Sequence, residues 1–440
     1  MKLYDWQVPL AEKTAQALQE KRVAILSAPT GAGKTPIAID VARRLEMNYL
    51  VIAPKVSLTQ WKRTAEAMGY TDHLIGIINP ERLSIAQGCK FYNRSWNSPW
   101  KIPENTLVIW DEPHRNASGI DSRATLAMAQ LKAYPTARLL AMSATIADSP
   151  LKLRGLGFWL SLHDFTKRSF YDWCRMHGCR DVPMGWGAVR RSVFMFTKNP
   201  FQARNVMQSI RQEMGSSLIT CTASEIPGFP DETIETISLD LDKDNQKAIK
   251  EAYATMCPRL LSKATSDMAE VLKQRQRAEY CKVKAIVELA EGYEEDGYSP
   301  VLFFNFTESR LLAEKILTEH GKQFASIYGG QPDVSRQKGI DSFMDNSIHF
   351  LICMSQAASC ALSAHDVHHV RPRVSFISPG FNAADMKQAL GRIRRVNGTK
   401  ATQFFVLAAN TVEERVARSL EQKLNNIDTI NDSDLLPIGG

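Results

Sequence analysis

A chain of 440 residues, 44% of them hydrophobic and 23% charged, is long enough for at least two hydrophobic cores, because a single core usually stops growing near about 250 residues. No apolar run approaches the roughly 18 residues that cross a bilayer, and the first residues lack the apolar stretch of a signal peptide, so we expect a cytoplasmic protein with no membrane association. Eight cysteines without a CxxC pair argue against a disulfide framework and a structural zinc site, while a net charge of only +7 decides little about partners.

The first predicted strand, residues 23 to 27, leads directly into a glycine-containing loop and then into a helical stretch from about 36 to 45. Glycines let successive N–H groups turn toward phosphates, and the helix N-terminus adds positive potential. We expect Lys34 to contact the β- and γ-phosphates of ATP and Thr35 to ligate Mg²⁺. The loop backbone that would surround the phosphates belongs to Pro29, Thr30, Gly31, Ala32 and Gly33.

Three further apolar runs, at 49 to 52, 107 to 110 and 137 to 142, predict strands of the same sheet. They alternate with helical stretches, which is typical of a doubly wound parallel sheet. Loops at the carboxyl ends of its strands would converge on one crevice. We therefore expect the functional residues of this half to follow these strands.

Two acidic residues, Asp111 and Glu112, stand at the end of the third of these four strands. A carboxylate beside a phosphate-binding loop can supply an outer ligand to Mg²⁺, and Asp111 fits that role. Glu112, one residue further, is placed to polarise the attacking water as a general base. An Asp-Glu pair is often just a solvated strand end, so this assignment depends on Lys34 and Thr35.

The surplus of positive charge is concentrated between Lys152 and Lys198, where nine basic residues accompany three acidic ones and aromatic side chains stand between them. Cations can bind phosphates, and aromatic faces can pack on bases or sugars. The candidate DNA contacts in this segment are Lys167, Arg168, Arg190 and Arg191. A helical subdomain with an aromatic core and a solvated basic face would have the same composition.

Strand-like apolar runs return in the second half, at 301 to 306, 350 to 353 and 374 to 377, and predict a second α/β lobe. Near its end, Arg392 and Arg395 are spaced to fall one turn apart on a helix and so to face the same phosphate. A guanidinium delivered from a second lobe can stabilise the charge of phosphoryl transfer.

Six short segments resemble, in the same order, motifs of one protein family. In chain order they are Tyr4-Asp5-Trp6-Gln7, Ala53-Pro54-Lys55, Asn79-Pro80-Glu81-Arg82-Leu83, Asp111-Glu112-Pro113-His114-Arg115, Ser143-Ala144-Thr145 and Gln388-Ala389-Leu390-Gly391-Arg392-Ile393-Arg394-Arg395. They are similar to motifs of the superfamily 2 helicases and translocases, most closely the Snf2-like double-stranded DNA translocases. The match extends across nearly the whole chain.

This resemblance implies a role for each matching residue. Gln7 and Gln388 would contact the nucleotide, with Gln7 reading adenine, and Arg392 and Arg395 would act in catalysis. The residues that would couple hydrolysis to the grip on nucleic acid are His114, Ser143 and Thr145. The implied nucleic-acid contacts are Lys55, Arg82 and Ser355.

The predicted fold is therefore α/β, with two RecA-like doubly wound parallel-sheet lobes and a helical, basic and aromatic extension. Residues 1–150 form the ATP-binding lobe and 151–240 the extension, a candidate for DNA binding. Residues 241–294 form a helical approach to the second lobe. Residues 295–440 form that lobe, the helicase C-terminal one, and end in a mobile tail.

The function expected from these features is ATP- and Mg²⁺-dependent movement on DNA. The DNA would be duplex, forked or branched and bound largely without sequence preference, in replication, recombination or repair. The chain has no obvious chromatin-reading or nuclease addition, which favours a bacterial or viral factor, and we expect a monomer. An RNA helicase and a non-motor, ATP-gated DNA-binding subunit remain alternatives, whereas a P-loop kinase would not need the Arg392 segment.

Overall fold

The computed structural model describes residues 1–83, 89–95, 97–115, 117–184, 191–256, 265–355, 363–380, 383–411 and 413–431. The chain forms two compact units. The first is built mainly from Met1–Val182 and Phe194–Pro227, and the second mainly from Gly228–Gln422. Among the described residues, no helix is both long and apolar enough to span a membrane.

The first unit contains a six-stranded parallel sheet in the order β3-β2-β4-β5-β1-β8. A separate pair, β6 and β7, lies outside it. The strands are β1 (Val23–Ser27), β2 (Asn48–Ile52), β3 (Leu74–Ile78), β4 (Thr106–Asp111), β5 (Arg138–Ser143), β6 (Cys179–Met184), β7 (Arg191–Phe196) and β8 (Leu218–Thr220). The helices are α1 (Val8–Lys21), α2 (Lys34–Arg44), α3 (Leu58–Met68), α4 (Arg123–Leu131), α5 (Arg154–Trp159), α6 (Lys167–Met176) and α7 (Pro200–Met214).

The second unit contains another six-stranded parallel sheet, in the order β11-β12-β10-β13-β14-β9. Its strands are β9 (Glu232–Leu239), β10 (Ser299–Phe304), β11 (Phe324–Ile327), β12 (Phe350–Met354), β13 (Arg373–Ile377) and β14 (Ala401–Ala408). The remaining helices are α8 (Lys243–Met256), α9 (Thr265–Tyr280), α10 (Val283–Glu295), α11 (Thr307–Glu319), α12 (Asp333–Met344), α13 (Ala383–Leu390) and α14 (Glu413–Asn431).

The apolar runs of the sequence become the central strands of both sheets. Every residue of β1 and of β10 is buried, as expected for parallel strands covered by helices on both faces. The two parallel sheets confirm the predicted pair of RecA-like, doubly wound lobes. Because all strands of each sheet run the same way, the residues that follow them gather at one edge.

The segment predicted as a helical extension also contains strands. Between 151 and 240, the strands β6 and β7 lie between α6 and α7 in the sequence. Strand β8 joins the first sheet beside β1, and β9 joins the second beside β14. The aromatic rings of Trp159, Phe170 and Trp173 lie in the core of the first unit. These three rings are therefore packed inside the protein and are not exposed for stacking on bases.

A buried ion pair anchors the start of the last helix in the second unit. Lys282 Nζ lies 2.9 Å from Oε2 of Glu413, and both side chains are almost fully buried. Lys282 also donates to the carbonyl of Val406, and the same Glu413 oxygen accepts the N–H of Ala408. These bonds satisfy two charges that would be costly to bury singly.

Candidate active site

The phosphate-binding loop has the predicted setting between the end of β1 and the start of α2. Gly33 precedes the helix with φ of 73°, and Gly31 has φ of 88°, a left-handed conformation that side chains with a Cβ rarely adopt. A Cβ at position 33 would also lie 2.5 Å from Nε2 of Gln7. Glycine at 33 is thus favoured by the backbone conformation, and any larger residue there would displace the amide of Gln7.

Lys34 stands at the first position of α2, where its ammonium group reaches back over the loop. Nζ donates to the carbonyl of Ala28 across 2.9 Å and to that of Pro29 across 3.2 Å. An ammonium held at this place is next to the turn whose N–H groups would surround phosphates. Thr35 follows in the same turn of the helix and is half-buried, and its predicted role as a Mg²⁺ ligand stays a prediction.

Gln7 is buried and braces the loop from the N-terminal side. Its Nε2 donates to the carbonyl of Ala32 across 3.1 Å, and its Oε1 accepts the N–H of Tyr4 across 3.1 Å. The amide therefore contacts the nucleotide loop itself, a structural role that its sequence motif did not predict. Its predicted contact with adenine stays a prediction.

Asp111 ends strand β4 and is held by a tryptophan. The indole Nε1 of Trp61 donates to Oδ2 of Asp111 across 3.1 Å. Burial and the neighbouring charge of Glu112 raise the pKa of Asp111 to about 7. Two adjacent, partly buried carboxylates are stabilised by a divalent cation, and carboxylate oxygens suit Mg²⁺, so the residues present fit this cofactor.

Glu112 occupies a strained backbone position with φ of 51°, stabilised by the bond from its N–H to the carbonyl of Met142. Burial would raise the pKa of its carboxyl, but nearby His114 and Lys34 and a hydrogen bond from Ser143 outweigh it, so the pKa is lowered. The group is therefore a carboxylate at neutral pH, which is the form that a general base needs.

A hydrogen-bonded network joins the ends of β4 and β5. Ser143 Oγ donates to Oε2 of Glu112 across 2.6 Å, and Nδ1 of His114 lies 3.0 Å from both Ser143 Oγ and Thr145 Oγ1. Burial lowers the pKa of His114 to about 4, so its ring is neutral. The three predicted coupling residues thus form one network with the candidate general base.

The arginine segment differs from its prediction in one respect. Helix α13 ends at Leu390, so Arg392 and Arg395 lie in the turns beyond it and not one turn apart on a helix. Gly391 follows the last helical residue, and the N–H of Arg392 still bonds to the carbonyl of Ala389. Burial and the charge of Arg392 lower the pKa of Arg395 to about 9. Burial is the larger of these two causes, and the charge of Arg392 adds to it.

Comparison with known proteins agrees with this geometry. The family described as Type III restriction enzyme, res subunit, matches residues 1–148, and the helicase conserved C-terminal domain matches residues 281–397. Together these matches cover more than half of the chain. The chain belongs to the superfamily 2 helicases. It is thus an ATP-hydrolysing helicase or translocase that uses Mg²⁺.

Three relatives of this helicase differ in how much of each chain is matched. A putative ATP-dependent RNA helicase of Acanthamoeba polyphaga mimivirus is 27% identical over 92% of this chain and 79% of its own length. The DNA 3'-5' translocase XPB2 of Sulfurisphaera tokodaii is 33% identical over 31% of this chain and 29% of its own. The chromatin-remodeling ATPase INO80 of Cryptococcus neoformans is 27% identical over 30% of this chain and 8% of its own.

The candidate nucleic-acid contacts of the helicase fall into two groups in the first unit. Lys55 and Arg82 are exposed and follow the adjacent strands β2 and β3 at the edge where the nucleotide loop also lies. Lys167, by contrast, pairs with Asp121 across 2.8 Å, and Arg168 lies 3.9 Å from Asp172. The positive charge of α6 is therefore partly neutralised by neighbours within the protein.

The remaining predicted contacts are placed as follows. Arg190 lies outside the described residues, and Arg191 begins strand β7. Ser355 is buried, and its Oγ donates to the carbonyl of Phe304 across 3.1 Å, so its side chain joins the ends of β12 and β10. Gln388 is buried in the last turn of α13.

The bond from Trp61 to Asp111 is a feature of the site that sequence reasoning missed. Trp61 follows the Lys55 motif, which predicts only nucleic-acid contact, yet its side chain is buried and bonds to the candidate Mg²⁺ ligand Asp111. The signal available in the sequence was a tryptophan in the first turn of a helix behind the nucleotide sheet. That signal does not identify Asp111 as the partner of Trp61, because the contact is formed only in the tertiary structure.

Proposed function

We propose that this helicase is a Snf2-like, ATP-dependent DNA translocase that acts on duplex, forked or branched DNA in replication, recombination or repair. The observation that supports it best is the network of Glu112, His114, Ser143 and Thr145. It joins the candidate general base to the segment that follows β5. A change in that segment on DNA binding would alter how Glu112 is held. Such a link is required of a motor whose ATP hydrolysis is stimulated by DNA.

In the proposed reaction, Lys34 binds the β- and γ-phosphates of ATP, while Thr35 and Asp111 hold the cation. When bound there, Mg²⁺ would supply positive charge next to the transferred phosphoryl group. Glu112 orients the attacking water and accepts its proton, and Ser143 fixes the carboxylate that does so. Arg392 and Arg395 stabilise the charge that develops on the phosphoryl oxygens.

DNA is favoured as the track by two relatives, one named a DNA translocase and one a chromatin-remodeling ATPase. The second candidate is an RNA helicase, which is favoured by the name of the relative with the longest match of the three. A non-motor ATP-gated DNA-binding subunit is the third. The exposed cations Lys55 and Arg82 would bind phosphates in each case, largely without regard to sequence.

A comparison of ATP hydrolysis with different polynucleotides tests the proposal. Duplex, forked and four-way DNA should each stimulate hydrolysis more than single-stranded RNA does, and the enzyme should displace a streptavidin block from biotinylated duplex DNA. Lys34→Ala should lower turnover at least about a hundredfold, because the β- and γ-phosphates lose their cation. Lys13→Ala, on the exposed face of α1, serves as the control. Stimulation by RNA alone would transfer the assignment to an RNA helicase.

The same proposal places the helicase in the cytoplasm of a bacterium or of a phage-infected host, working as a monomer. The match to a mimivirus helicase over most of the chain supports the viral part of this proposal. Sedimentation of the purified chain with and without DNA tests the monomer, which a concentration-dependent dimer would contradict.

A further inference from the structure

The bond between Trp61 and Asp111 connects two segments 50 positions apart in the sequence. Indole Nε1 donates across 3.1 Å to Oδ2 of Asp111, and Trp61 is only 1% exposed. One carboxylate oxygen is thus held by the protein while the other can serve a metal ion. Residues that hold a metal ligand in this way commonly change metal affinity when they are replaced.

Trp61 also belongs to the segment that carries an exposed candidate contact for nucleic acid. The 3₁₀ turn Lys55–Ser57 continues directly into α3, and Trp61 lies in the first turn of that helix. Two bonds from Ser57, through its N–H and its Oγ, to the carbonyl of Pro54 fix the start of the turn. A displacement at Lys55 would therefore be carried into the helix and reach the indole.

We propose that Trp61 is a positioning residue that transmits nucleic-acid contact at Lys55 to the cation ligand Asp111. The inference rests on the proposed function, because it requires Lys55 to touch the track and Asp111 to hold Mg²⁺. Binding of the track shifts the 3₁₀ turn and α3, and the indole N–H then reorients the carboxylate. Part of the stimulation of ATP hydrolysis then comes from better alignment of Asp111 with the cation.

The first unit provides matched controls for this bond. Trp100 and Trp159 are also buried, and their indole Nε1 groups donate to the backbone carbonyls of Ala127 and Met128 across 2.9 and 2.8 Å. Replacement of either by phenylalanine also removes a buried indole ring and one indole N–H hydrogen bond from the first unit. Neither bond involves a residue of the candidate site.

The test measures ATP hydrolysis by the full-length Trp61→Phe, Trp100→Phe and wild-type proteins as Mg²⁺ is varied, with and without a duplex DNA or poly(U). Trp61→Phe should raise the half-saturating Mg²⁺ concentration about tenfold, and its maximal stimulation by polynucleotide should fall severalfold. Trp100→Phe should keep the wild-type Mg²⁺ requirement and the wild-type stimulation by polynucleotide. This should hold even if its melting temperature falls as far as that of Trp61→Phe.

A second readout uses the wild-type protein and does not depend on a variant that folds. In ¹⁵N-labelled protein, one indole N–H resonance should shift on addition of Mg²⁺ with ADP and shift again on addition of polynucleotide. The absence of any indole resonance that responds to both would overturn the inference.

The outcomes separate this inference from the proposed function. If polynucleotide stimulates the wild type and Trp61→Phe matches Trp100→Phe in Mg²⁺ requirement and stimulation, the inference fails and the proposed function stands. If neither DNA nor RNA stimulates the wild type, both fail.

Discussion

Ser143 Oγ donates a 2.6 Å hydrogen bond to Oε2 of Glu112, and this bond connects the end of strand β5 to the residue that follows β4. The hydroxyl also accepts the N–H of Thr145 across 2.8 Å. One side chain therefore holds both the carboxylate proposed to activate water and the backbone of the proposed coupling segment.

Ser143→Ala should lower the rate of DNA-stimulated ATP hydrolysis about tenfold, because a hydrogen bond to a charged group contributes about 1.5–3 kcal/mol. Movement along DNA, followed by displacement of a bound block, should fall further than hydrolysis does. Ser375→Ala is the control, since Ser375 is also buried but bonds to Gln403 in the second sheet. Equal effects of the two changes on hydrolysis would contradict a special role for Ser143.

Gly33→Ala and Gly69→Ala separate backbone strain from side-chain contact. Both positions have positive φ, 73° and 62°, but a Cβ at 33 would meet Gln7 Nε2 at 2.5 Å, whereas a Cβ at 69 meets nothing within 4 Å. Each change should cost about 1–2 kcal/mol of stability from the strained backbone. Only Gly33→Ala should also weaken ATP binding, measured by titration with a fluorescent nucleotide. If Gly69→Ala weakens binding as much, the contact with Gln7 is irrelevant.

Glu413→Gln should destabilise the second unit by about 3–5 kcal/mol, because it leaves the ammonium group of Lys282 buried without its counter-charge. The exposed pair Lys284 and Glu288, 3.7 Å apart, provides the control. Glu288→Gln should change stability by less than about 1 kcal/mol. Urea denaturation followed by far-ultraviolet circular dichroism measures both. A small effect of Glu413→Gln would show that the buried pair contributes little.

Lys55→Ala should weaken binding to DNA of any sequence and reduce the slope of log affinity against log salt by about 0.9, the value for one lost phosphate contact. Lys167→Ala should have a smaller effect on this slope, since Lys167 is already paired with Asp121. Fluorescence anisotropy with labelled duplex at several salt concentrations measures the slopes. A larger effect at position 167 would favour α6 as the DNA contact.

Several parts of the fold could be predicted because their signals are local. The apolar runs of β1, β4 and β10, and the glycines before Lys34, each depend on neighbouring residues only. Strand β8 has three residues, too few for a periodic pattern, and β9, at the edge of its sheet, has three apolar residues among eight without regular alternation. These two strands are formed by pairing with distant partners, and for that reason they were missed in the sequence.

The site shows the same division. The identities of Lys34 and Asp111 follow from short motifs, whereas the indole bond from Trp61 to Asp111 and the contact of Gln7 with the loop join residues tens of positions apart. The helical placement of Arg395 was wrong because a motif specifies residue types and spacing and does not specify where α13 ends. Helix ends depend on capping and on tertiary contacts.

The neighbouring positions of β2 and β3 have a consequence for movement of the helicase on damaged DNA. Lys55 and Arg82 follow these adjacent strands, and neighbouring strands lie about 4.8 Å apart. Cations that follow adjacent strands are near neighbours at one edge of the sheet, so in their proposed role we expect Lys55 and Arg82 to contact the same DNA strand. A motor guided by one strand in this way would pass a nick or a short gap in the complementary strand without stalling.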